Sequence, residues 1–106
     1  QLHPEIFQEM IGKFGLPSVD LFATSLNAQL PRFFSRYWET GAESSNALRC
    51  KWPRGLLYAF PPLPLIPHVI RKIIEERAEI LLVAPHWPRR QWFADLRELS
   101  TQVPWR

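Results

Sequence analysis

The chain has 106 residues, 46% apolar and 22% charged, a globular rather than disordered composition that suits one domain with a single core. No apolar run reaches bilayer length and no leader-like pattern opens the chain, so neither a membrane span nor a secretory signal is expected. The single cysteine, Cys50, excludes a disulfide framework and a multi-cysteine metal site, while a net charge of +3 leaves room for an anionic partner. A reducing, intracellular setting is the expectation. The start at Gln1 rather than at Met suggests a single domain (1–106) cut from a longer polypeptide.

The first predicted element is a helix over 3–15, with Pro4 in its first turn, a stripe of Ile6, Phe7, Met10, Ile11 and Phe14, and Gly15 as its stop. The short apolar run 18–23, with Asp20 inside it, reads as a buried strand. The aromatic run 32–38 reads as a second strand or an extended loop, and 39–55 has no periodicity and reads as irregular. A third strand is expected over 56–60, ended by Pro61 and Pro62, which cannot donate to a ladder.

From Leu65 the period changes. Ile66, Val69, Ile70, Ile73 and Ile74 follow helical spacing, with Arg71, Lys72, Glu75 and Glu76 opposite them. The aliphatic run 78–85 predicts a fully buried strand. A last helix is expected after Pro88, with Trp92, Phe93, Leu96 and Leu99 on one face. Strands alternating with amphipathic helices predict an α/β fold: a small, mainly parallel sheet of about three to five strands flanked by helices.

In such sheets ligands bind beyond the strand carboxyl ends. Three ends are predicted, followed by Asp20 and its loop, by "FPPLP", and by "APHWPRR". Arginines placed in loops, Arg32, Arg36, Arg54, Arg89 and Arg90, form a candidate phosphate-facing rim, with Trp87 as a stacking surface for single-stranded nucleic acid. The competing reading is a solvated basic surface with both tryptophans packed on the sheet. Asp20 either grips a ligand or caps the next turn, and Asn27 either contacts substrate or closes a turn. His86 has no acid, serine or cysteine placed beside it by spacing.

The text "VDLFATSLNAQLPRFFSR", then "NAL…W", then "LYAFPPLPLIPHVIRKI" and "ILLVAPHWPRRQWFADLREL" resembles the Dam-type, methyltransferase-like module of DIRS-type tyrosine-recombinase retrotransposons. More remotely it is similar to phage DNA adenine methyltransferases. The resemblance implies a Rossmann-like fold and a place in a polyprotein beside reverse transcriptase and RNase H. It also implies S-adenosylmethionine near Asp20 and Asn27, and an amine-reading loop at Phe60, Pro61, Pro62 and Leu63.

This chain departs from the pattern at the reactive positions. Phe60 replaces Asn or Asp, Leu63 replaces Tyr or Phe, and Asn46 replaces the Asp of "DAL". Phe60 accepts no hydrogen bond from an amine, and no glycine-rich turn follows Asp20. A non-catalytic module without cofactor or metal is therefore expected, contacting DNA, RNA, a hybrid, or its polyprotein neighbours. The alternatives are an active adenine methyltransferase using S-adenosylmethionine and a host-derived structural module.

Overall fold

The computed structural model describes residues 3–84. The expected final helix, and with it His86, Trp87, Arg89, Arg90 and Trp92, lies outside the described residues. Helix α1 spans Pro4–Phe14. Its start is set by His3, whose Nδ1 accepts from the Glu5 amide at 3.1 Å, and by Pro4, whose missing N–H is not needed in a first turn. It stops at Gly15, where φ is 101° and the amide donates back to the Ile11 carbonyl at 2.9 Å.

Strand β1 is Val19–Asp20, β4 is Leu56–Ala59 and β5 is Glu79–Leu82. They form a three-stranded, all-parallel sheet in the order β1-β4-β5, with Val19 opposite Leu57 and Leu57 opposite Ile80. Strands β2 (Phe34–Ser35) and β3 (Ser44–Ser45) make a second parallel pair. A bridge between Asp20 and Phe33 ties this pair to β1, with Asp20 N donating to Arg32 O at 3.0 Å and Ala23 N to Phe34 O at 3.1 Å.

The central strand, β4, is buried on both faces, and alternation along the strands sorts two apolar layers. Tyr58, Leu81 and Val83 meet Phe7 and Met10 of α1. Val19, Leu57, Ala59, Ile80 and Leu82 meet Ile66, Val69, Ile70 and Ile73 of helix α2, which spans Ile66–Glu76. The result is an α/β architecture with a helix on each face of an open parallel sheet.

Three details depart from the sequence reading. The run 18–23 forms a strand only over Val19–Asp20: Leu21 N still donates to Tyr58 O, the Phe22 amide turns to the Asp20 carboxylate, and Ala23 N pairs with Phe34 O instead. The segment 39–55 is not irregular throughout: it contains β3 and a single 3-10 turn, Ala47–Arg49. Ile74 is 56% exposed rather than core, since the 3.6-residue period places it at the flank of the stripe.

Candidate binding surface at the strand carboxyl ends

Asp20 closes β1, yet its carboxylate does not face an open cleft. The residue is only 2% exposed and lies in register with Tyr58 of β4 on the face that α1 covers. Its Oδ1 accepts from the Phe22 amide at 3.3 Å and its Oδ2 from the Gln29 amide at 3.0 Å, so both oxygens hold the loop that follows. Burial pushes the carboxyl from 3.8 up to about 6, against the pull of those two amides toward the charged form. The neighbouring Tyr58 hydroxyl is buried without a hydrogen-bond partner among the described residues. Burial first, and the Asp20 charge second, raises its phenol well above the ordinary range. Phe7 seals this pair by packing edge-on to the Tyr58 ring at 5.0 Å.

Asn27 is exposed, and its Oδ1 accepts from the Thr24 amide at 2.7 Å, the geometry of a side chain closing its own turn. A second tie fixes the same loop: the Ser25 amide donates to Glu39 Oε1 at 2.8 Å, joining the segments that follow β1 and β2. The double proline terminates β4 and launches the crossover. Phe60 packs into the layer beneath α1, Pro61 is buried, and Pro62 accepts from the Leu65 amide to start a 3-10 turn over Leu63–Leu65. Pro67 then fits the first turn of α2. Phe60 is half-buried against this layer and Leu63 is left at the surface, 37% exposed.

The "NAL…W" segment has a structural role. Asn46 adopts φ 52° and caps the 3-10 turn by accepting the Leu48 amide at 3.3 Å. Ala47 is buried, and its carbonyl accepts the Trp52 indole N–H at 2.7 Å. The Trp52 amide donates to Glu76 at 2.9 Å, and Lys72 sits over the indole at 5.5 Å, so this latch pins the loop to α2.

The structure does not bring the described arginines of the expected rim together. Arg36 directly follows β2, at the carboxyl edge. Arg32 precedes β2 and is held by Glu43 in a bidentate pair at 2.7 and 2.8 Å, which raises the guanidinium and lowers the carboxyl. Arg54 precedes β4 and lies at the opposite, amino edge.

What the carboxyl edge does present was missed in the sequence. Tyr37 and Trp38 follow β2 and are 73% and 69% exposed, with the Arg36 guanidinium 5.3 Å from the Tyr37 ring centroid. Leu26, in the loop after β1, is 95% exposed. The available signal was the cation inside "SRYWET": an aromatic run broken by Arg36 and followed at once by turn residues cannot complete a buried strand. Among the described residues no cluster of three or more His, Cys, Asp or Glu suits a metal ion, and no helix is long and apolar enough to cross a membrane. Comparison of the chain with family models, curated proteins and solved structures found no match.

Proposed function

We propose that this chain is a non-catalytic, Rossmann-like module of the methyltransferase-like kind found in DIRS-type retrotransposon polyproteins. In this reading it works beside reverse transcriptase and RNase H by contacting single-stranded or hybrid nucleic acid. The parallel order β1-β4-β5 with α2 crossing between β4 and β5 supports the fold assignment, and the isolated Asp20–Phe33 bridge sets the parallel pair β2-β3 beside β1. The observation that carries the loss of catalysis is the state of Asp20: buried, with both carboxylate oxygens bonded to its own loop. Each oxygen keeps a lone pair, but at 2% exposure neither is open to a cofactor amine or ribose. Phe60, packed under α1, likewise offers no acceptor to a nucleobase amine.

Nucleic-acid contact is supported by Arg36, Tyr37 and Trp38. A guanidinium over the exposed Tyr37 ring, with exposed Trp38 next in the chain, supplies phosphate pairing and stacking faces, which together serve single strands with little sequence preference. Fluorescence anisotropy with a labelled single-stranded oligonucleotide tests this. Binding that weakens with salt, and that Trp38→Ala reduces by about 1–3 kcal/mol, is the expected outcome. Absence of binding at low salt, or a Trp38→Ala variant indistinguishable from the parent, contradicts it.

A further inference from the structure

At the edge opposite the exposed rings, the loops entering β4 and β5 enclose a depression of about 400 Å³. Its wall carries three cations, Lys51, Arg54 and Arg77, and two carboxylates, Glu76 and Glu79. Glu76 is already engaged: one oxygen accepts the Trp52 amide at 2.9 Å and the other meets Lys72 Nζ at 3.4 Å. Glu76 stays charged and draws on Lys51 as well as Lys72, so the wall holds three cations against two carboxylates, with Arg54 and Arg77 the less engaged pair. The negative end of α2, which also points here, is tempered because the Arg77 and Ala78 amides donate to the Ile74 and Ile73 carbonyls.

Arg77 carries a second signal. It occupies the left-handed conformation just past the helix, with φ 52° and ψ 46°, where glycine is the ordinary residue. A side chain there costs backbone energy, and what this one gains is a guanidinium on the wall of the depression. Gly55, with φ 98°, gives the facing loop its own sharp turn.

We propose that this depression is a phosphate-oxyanion site formed by Arg54, Arg77 and Lys51. Two arginines and a lysine around a concave surface supply the charge-assisted donors that phosphate oxygens reward. The site is separate from the carboxyl-edge surface by the length of β4, about 13 Å at strand rise. It does not depend on the methyltransferase-like assignment.

Inorganic phosphate, added at constant ionic strength against a chloride control, is followed by amide chemical shifts. The expected result is saturable movement of the Arg54, Gly55 and Ala78 signals at millimolar phosphate. Arg77→Gly is the informative variant, because glycine suits that backbone and the urea midpoint should hold or rise while phosphate affinity falls about tenfold. Arg54→Gln should weaken binding similarly. A single-stranded oligonucleotide that moves the same amides at much lower concentration assigns the phosphate to a nucleic-acid backbone. Movement with phosphate alone assigns it to a small phosphorylated ligand. Non-saturating shifts, or equal affinity in the parent and both variants, overturn the proposal.

Discussion

At the residue scale the most consequential side chains are Asp20 and Tyr58, register partners sealed beneath α1. The folded carboxyl of Asp20 titrates at about 6, above its ordinary 3.8, so between those values the folded state binds more protons than the unfolded one. Its contribution is therefore most favourable below pH 3.8 and is lost as pH rises through about 6. Glu43 and Glu76 act in the opposite sense: each is lowered in the fold, by Arg32 and by the Trp52 amide respectively, so their contributions fade as pH falls below the ordinary carboxylate range. Urea unfolding across pH should show stability declining from about pH 5 to 7, above the range where Glu43 and Glu76 titrate, and Asp20→Asn should flatten that decline. A profile in Asp20→Asn as steep as the parent's would show that other groups cause it. Tyr58→Phe removes a buried hydroxyl that lacks a partner among the described residues and should raise stability by about 1 kcal/mol. A clear loss would point to a hydrogen bond made by Tyr58 in solution.

At the element scale, α2 and the Trp52 latch hold the crossover between β4 and β5. Ile70 is 4% exposed in the layer beneath α2, so Ile70→Ala should cost about 2–5 kcal/mol in urea unfolding. Trp52→Phe leaves the buried Ala47 carbonyl without its indole donor and should cost about 1–3 kcal/mol; a change near zero would mean that the latch is ornamental. These elements were legible because their signals are local. Helical spacing from Ile66 to Ile73, the aliphatic run of β5 and the prolines that end β4 each specify their own structure. Strand β2 was legible only as one of two readings of 32–38, and β3 not at all, because what makes these two-residue segments strands is pairing across a loop, with Phe34 opposite Ser44. The functional positions divide in the same way. Asn27 as a turn-closing residue follows from short-range chemistry, whereas the direction of Asp20 depends on the cover that α1 supplies.

At the scale of the whole molecule, the sheet separates two surfaces of different chemistry. One edge carries exposed rings beside Arg36, and the other carries a depression lined by Arg54 and Arg77. Under the proposed function the Asp20 carboxylate at the carboxyl edge is buried and bonded to its own loop, and half-buried Phe60 ends β4 there. Each phosphate contacted by such a molecule should add roughly 0.7 to the slope of log affinity against log salt for a single strand, so Arg36→Ala should lower that slope. An unchanged slope would remove Arg36 from the interface. The central claim is that Asp20 serves the loop rather than a cofactor, and calorimetric titration of the unmodified chain with S-adenosylmethionine tests it most directly. The account predicts no saturable heat. Saturable binding in the micromolar range, lost in Asp20→Asn while that variant remains folded, would contradict it.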